Sequence, residues 1–400
     1  MVELDFSVIG NETPTLVKLL DTFEVEHKVH VRLKVIDWEG AWSELLSWAL
    51  HSQGPDVSHI GSTWSPSLIA MNALRPFTSG EVRMMGGSRT FLPQSWQSGM
   101  LIDQPEVWSI PWTSYTFVLC YRRDLLERAG IDEKNAFINP PVVETTLASL
   151  RSAGVGMPWI VPVAPNHIDT LHHIASFVWG MGGDFISPTG LRLTFTQPMA
   201  MAGFKAYFEL LRYHPSAFYP LDDGQAEQYF TRGQSAVTVV GADRPYSWIR
   251  EKSATSEVLN NLGVIPMPGV PWIGGDNLVI WKEAKVSLER ERAAVELINF
   301  LTSHQAQEVY CRGEEVNLPT RTDVFDNLPL PEAKITKAAI ESLTMGRAYR
   351  PLGMWSKIEH QFGQALGQVA AEVLSGVTPS DSLHNHLDLL NQRLSVTVGK

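Results

Sequence analysis

The sequence predicts an α/β protein of two interwoven domains, and three observations predict it. Residues 1–65 alternate strand and helix patterns in the order β-α-β-α-β, the signature of a doubly wound, largely parallel sheet. A second alternating block begins after Ile110-Pro111-Trp112. The chain of 400 residues also exceeds what one hydrophobic core usually organises. No repeat or low-complexity linker separates the blocks, so the chain is expected to cross between domains several times.

The elements follow in order. Residues 4–9 form an apolar strand ending at Gly10, and Thr13-Pro14 then supplies an N-cap and a proline at the first helical position. Leu16, Leu19, Leu20 and Phe23 recur at helical spacing to about His27. Val29, Val31, Leu33 and Val35 alternate with His30, Arg32 and Lys34, a half-buried strand. A tryptophan-rich helix is predicted over residues 42–52, then a strand over 56–60. In the second block, strands are predicted over 116–121, 160–163, 236–240, 262–267 and 277–281, with 268–275 a loop. Helices are predicted over 123–129, 145–152, 168–179, 198–213, 225–233, 289–302, 303–311, 331–344, 354–374 and 382–394. Ligands of open α/β sheets sit at the carboxyl ends of strands, so residues 10–12, 37–39 and 62–64 form one candidate rim.

Composition narrows the function. The net charge of −11 repels nucleic acid and anionic lipid. Two cysteines, Cys120 and Cys311, make neither a disulfide framework nor a thiolate metal site. There is no phosphate loop, no G-x-S-x-G elbow and no H-E-x-x-H pair. His167, His172 and His173 lack the spacing that places two ligands on one helix face. Asp222-Asp223 reads as a solvated turn or a helix N-cap rather than a glycosidase carboxylate pair. No catalytic residue, metal or cofactor is expected. The opening Met-Val-Glu-Leu-Asp-Phe has neither the basic nor the long apolar region of a signal peptide.

Ordered motifs along nearly the whole chain resemble the extracellular solute-binding proteins, family 1, of ABC importers for sugars, the group that includes maltose-type binding proteins. Gly54-Pro55-Asp56-Val57 with Trp64, Leu68 and Leu74-Arg75-Pro76-Phe77 resembles that family's "PDV … W … L … G-x-L-x-P-L" segment. Ile110-Pro111-Trp112, Tyr121-Arg122-Arg123-Asp124-Leu125 and Ala129-Gly130 resemble "P-W … Y-N-K-D-L-F … A-G". Tyr229-Phe230 with Gly233-Gln234-Ser235-Ala236-Val237 resembles "F-x-x-G-x-A-A-M". Pro266-Met267-Pro268, Gly274-Gly275, Leu318-Pro319-Thr320-Arg321, Arg350-Pro351, Trp355 and Leu374-Ser375-Gly376 complete the series. The chain departs from the family pattern in lacking the export signal and lipid-attached cysteine, and at 140–146, where Pro-Pro-Val-Val-Glu-Thr-Thr replaces "P-x-T-W-x-E".

The resemblance implies a two-lobed type II periplasmic-binding-protein fold with the ligand in a cleft between lobes that closes by a hinge. Lobe one is then 1–112 plus 268–313 and lobe two 113–267 plus 314–400, with crossings near 112–115, 262–268 and 312–319. It further implies an extracytoplasmic monomer, periplasmic or a cell-surface lipoprotein, that hands a carbohydrate to the membrane subunits of an importer. A sugar offers C–H faces to aromatic rings and hydroxyls to carboxylates, amides and guanidinium groups. The candidate ligand contacts are therefore Asn11, Glu12, Trp38, Glu39 and Trp64 on the rim, and Trp112 at the first crossing. Asp243, Arg244 and Tyr246 follow the strand at 236–240; Trp272, Gly274, Gly275 and Asp276 lie in or beside the predicted loop, and Trp355 in the terminal segment. Trp42, Trp48, Trp159, Trp179 and Trp281 are expected in the core, whereas Trp96 and Trp108 have no placement. The alternatives are a polyamine, amino sugar or glycerol phosphate as ligand, or a glycoside-acting enzyme on the same fold.

Overall fold

The structure, a computed structural model, describes residues 2–165, 168–215, 220–282, 287–327 and 332–396. His167 and the first residue of the helix predicted at 331–344 lie outside them. The chain divides into two compact units. Unit 1 comprises residues 1–115, 273–331 and 348–356; unit 2 comprises 116–272, 332–347 and 357–400. The strands are β1 (Val2–Ile9), β2 (Val29–Ile36), β3 (Val57–Gly61), β4 (Ser109–Arg122), β5 (Trp159–Ile160), β6 (Val237–Gly241), β7 (Leu262–Pro266), β8 (Ile273–Ile280) and β9 (Leu318–Pro319).

In unit 1, β1 lies between β2 and β3, parallel to both, and β8 runs antiparallel to β3. Both faces of this sheet are covered by helices. Leu4, Phe6 and Val8 meet Leu16, Leu20 and Phe23 of the helix Pro14–His27 and Leu297, Ile298 and Leu301 of the helix Leu288–Leu301. On the other face Ile9, Ile60 and Val279 meet Leu45 and Trp48 of the helix Trp38–His51 and Leu68 of the helix Ser65–Ala70. Each such buried side chain contributes about 1.5–3 kcal/mol. The predicted alternation in β2 is kept at Val29 and Val31, which are buried, but Val35 is exposed and Ile36 buried instead.

In unit 2, β4 pairs antiparallel with β6 and β7, and β6 pairs parallel with β5. The helix Asp169–Gly180 is buried almost all round and packs on the helix Pro198–Glu209. Gly203 makes that approach possible, since a Cβ there would lie 2.4 Å from Val178 Cα. Phe362 of the helix Trp355–Leu374 stands edge-on to Phe185 and Phe195, at 5.6 and 4.8 Å between ring centres.

Three expectations need correction. Residues 113–115, 314–327 and 348–356 belong to unit 1, not the second lobe; β9 pairs with Thr113 and Ser114, and Thr320 donates to the carbonyl of Pro111. Residues 268–272 belong to unit 2. Gly274, Gly275 and Asp276 are not in a loop: β8 starts at Ile273 and pairs Asp276 with Gly61. A side chain at Gly275 is excluded twice, by its φ of +125° and by Thr113 O, 2.1 Å from where a Cβ would stand.

Candidate functional site

The carboxyl ends of β1, β2 and β3 and the amino end of the antiparallel β8 fall on one edge of the unit 1 sheet, so topology gathers four predicted segments there. Asp37 caps the helix after β2 by accepting from the Glu39 amide at 2.9 Å, which makes Trp38 the first helical residue, four positions earlier than predicted. Trp38 is 49% exposed. Trp64, half-buried, opens the short helix after β3. Their ring centres are 5.7 Å apart, and Trp42 lies 5.5 Å from Trp64. Trp42, expected in the core, is half-buried and completes a three-ring cluster. The signal for it was the cap at Asp37: once the helix starts at Trp38, Trp42 is one turn on and shares its face.

The polar side of the edge is built by β8, β3 and the unit 1 part of β4. Asp276 Oδ2 accepts from Thr113 Oγ1 at 2.6 Å, and Oδ1 lies 3.1 Å from His59 Nε2. The other ring nitrogen of His59, Nδ1, accepts from the Ile9 amide at 3.1 Å. His59 also meets Trp38 edge-on at 6.1 Å and Trp112 at 5.2 Å. His59 and Thr113 escaped the sequence reading because their relation to Asp276 exists only through strand pairing. Three tryptophan rings beside a fixed carboxylate form a surface for C–H faces with an acceptor for hydroxyls at its margin.

The remaining predicted residues are placed differently. Asn11 is exposed and donates to Glu315 Oε1 at 2.9 Å; Glu12 and Glu39 are exposed on the rim, while Thr13 rather than either Asn11 or Glu12 caps the following helix. Trp112 is 1% exposed and stacks on Tyr310 at 4.7 Å, so in unit 1 it is a core ring. Trp355 is equally buried and stacks on Tyr349 at 4.3 Å. In unit 2, Trp272 is buried and stacks flat on His172 at 3.8 Å. Arg244 makes a bidentate pair with Glu227, at 2.8 and 2.6 Å, which raises its already high pKa. Glu227 also accepts from the indole N–H of the fully buried Trp248. Tyr246 is buried with its hydroxyl donating to Thr336, and burial raises its pKa. Asp243 occupies the N-cap position of the helix Arg244–Glu251 without a side-chain cap bond. This second cluster is thus neutralised and mostly internal, because Arg244 and Trp248 converge on one glutamate.

Trp48, Trp159, Trp179 and Trp281 are buried as expected; Trp96 is also buried, and Trp108 is half-buried. Asp222 caps the helix Asp223–Thr231 in a capping box with Gln225. Cys120 is buried in β4 and burial pushes its thiol pKa well up, the behaviour of a small apolar side chain. Among the described residues no three His, Cys, Asp or Glu side chains are grouped to hold a metal ion, and no helix is long and apolar enough to cross a membrane.

The family described as bacterial extracellular solute-binding protein matches residues 9–308. A protein of Deinococcus radiodurans named "Probable ABC transporter-binding protein" is 25% identical over 286 residues; the match covers 67% of this chain and 64% of the relative's length. The sugar-binding protein MalE of Xanthomonas citri shares the fold with a TM-score of 0.82 at 20% identity, over 99% of this chain and 97% of that one. An ABC transporter solute-binding protein of Thermotoga lettingae, bound with α-D-tagatose, superposes with a TM-score of 0.78 at 18% identity, over 98% and 100% of the two chains.

Proposed function

Because the chain belongs to the bacterial extracellular solute-binding protein family, we propose that it captures a carbohydrate for an ABC importer and uses the unit 1 edge at Trp38, Trp42, Trp64 and Asp276 to do so. The observation that carries this reading is the three-ring cluster, with Trp38 half exposed, beside a carboxylate that already holds a fixed orientation. Exposed indole faces are costly in water and suit the C–H faces of a pyranose or furanose ring. Relatives of the same fold named for MalE and for bound tagatose support the choice of sugar over other solutes. Asn11, Glu12 and Glu39 supply further polar groups along the same edge. The proposal includes no catalysis: Asp276 is engaged as an acceptor by Thr113, and the acidic centre of the second cluster, Glu227, is neutralised by Arg244. It also includes docking to importer membrane subunits, an extracytoplasmic location and a monomeric state, which rest on the family.

A thermal-shift screen over mono- and oligosaccharides tests it, since a ligand bound only by the folded chain raises the melting temperature. A rise with at least one sugar is expected. A rise with a polyamine or phosphate ester and none with any sugar would overturn the assignment, and hydrolysis of the bound sugar would replace it with the enzyme reading. Hinge closure on the sugar is part of the proposal and is read as a fall in the radius of gyration in small-angle scattering.

A further inference from the structure

The hydrogen bonding of His59 is not explained by the packing of unit 1 alone. Its side chain is 7% exposed in β3, and its Nδ1 accepts the Ile9 amide. The neutral ring must then carry its proton on Nε2. That N–H stands 3.1 Å from Asp276 Oδ1, yet among the described residues it has no aligned acceptor. Native proteins seldom bury a donor this way without a reason. The ring cannot swing to solve it, since Trp38 and Trp112 stand edge-on to it and the Ile9 amide anchors the far nitrogen. Asp276 is held from its other side by the Thr113 hydroxyl and is 20% exposed at the edge carrying the tryptophan cluster.

We infer that His59 and Thr113 are positioning residues that hold Asp276 as a directed acceptor for one ligand hydroxyl. A carboxylate accepts only, so Asp276 fixed in this way selects a hydroxyl donor at one place on the edge. The neutral Nε2–H keeps Oδ1 turned toward the protein without supplying a counter-charge. The inference rests on the carbohydrate reading above.

The test is calorimetric titration of the parent chain, His59→Phe, His59→Gln, Thr113→Val, Asp276→Asn and the His59→Phe/Asp276→Asn double variant. The probes are maltose, D-tagatose and the sugar giving the largest thermal shift. His59→Phe is expected to weaken binding roughly tenfold, because Asp276 Oδ1 loses the N–H dipole 3.1 Å away that keeps it in place. His59→Gln, which restores an N–H donor, is expected to recover part of the loss. In the Asp276→Asn background His59→Phe should add less than about twofold, because both changes remove the same interaction. Unchanged affinity in a folded His59→Phe variant overturns the inference, as does a full tenfold loss when His59→Phe is added to Asp276→Asn. Should His59→Phe fail to fold, Thr113→Val enters the same cycle with the same criteria. A parent chain that binds sugar while these variants match it overturns this inference alone; a parent that binds no sugar overturns the carbohydrate reading together with it.

Discussion

Trp38 and Trp64 on the edge, and Trp112 and Trp272 in the interior, are the same side chain in opposite circumstances. Trp38→Ala and Trp64→Ala should each weaken sugar binding about two- to tenfold, the value of an aromatic contact of ~0.5–1.5 kcal/mol, while calorimetric melting changes little. Trp112→Ala and Trp272→Ala should instead cost about 3–5 kcal/mol of stability in urea titration, since each empties a buried ring site stacked on a neighbour. His214 gives a pH signature. Burial pushes its pKa below the ordinary 6.5, against the carbonyls of Val161 and Pro215 that face its two nitrogens. The unfolded chain therefore takes up a proton near pH 6.5 that folded His214 does not. Stability is fully present above that pH and falls as pH drops toward the lowered value, by up to about 1.4 kcal/mol per pH unit. His214→Gln should flatten the difference in melting temperature between about pH 7.5 and pH 5.5, the window that brackets this titration; an unchanged slope would show that other groups set it.

Among strands and helices, β8 carries the sharpest expectation. Gly275→Ala must both hold a φ of +125° and push against the Thr113 carbonyl, so a loss of at least ~2 kcal/mol is expected in urea titration, with sugar affinity falling because Asp276 moves with the strand. This strand also shows where sequence reading ends. Thr13-Pro14 and the start at Ser303 are marked by local chemistry, and the structure caps helices at both, whereas the helix predicted over 382–394 starts earlier, at Pro379 with Thr378 as its cap. The alternation in β2 as far as Val31 and the apolar strands β1 and β6 were legible for the same reason: period and composition are properties of a few neighbouring residues. Gly274-Gly275 resembled a loop because glycine usually marks one, whereas here it marks the close approach of another strand. The site was legible to the extent that it follows strand ends. Trp38 and Trp64 were placed on the rim by position after a strand, and Asp276 by a predicted loop that is in fact β8, but burial of Trp112, Trp272 and Trp355 depends on partners distant in sequence, and no local pattern separates an exposed indole from a core ring.

At the scale of the whole molecule, each unit depends on distant parts of the chain. Unit 2 is closed by residues 357–374 of the helix Trp355–Leu374 and by the helix Pro379–Ser395, which bury Phe362, Leu366, Leu383, Leu387 and Leu390. A chain cut back to end before Trp355 should therefore lose the cooperative melting of unit 2, and limited proteolysis should then cut within 116–272. Unit 1 has the complementary dependence. Its parallel strands β1, β2 and β3 lie within the first 61 residues, but β3 finds its antiparallel partner only in β8, at 273–280. At a synthesis rate of about 5–20 residues per second, the ribosome would need roughly 10–45 seconds to supply that partner. During that interval β3, whose five residues are all buried in the finished fold, presents a bare edge to whatever else is nearby. The order in which the strands are translated thus makes unit 1 the first to be begun without letting it be completed until the return strand emerges.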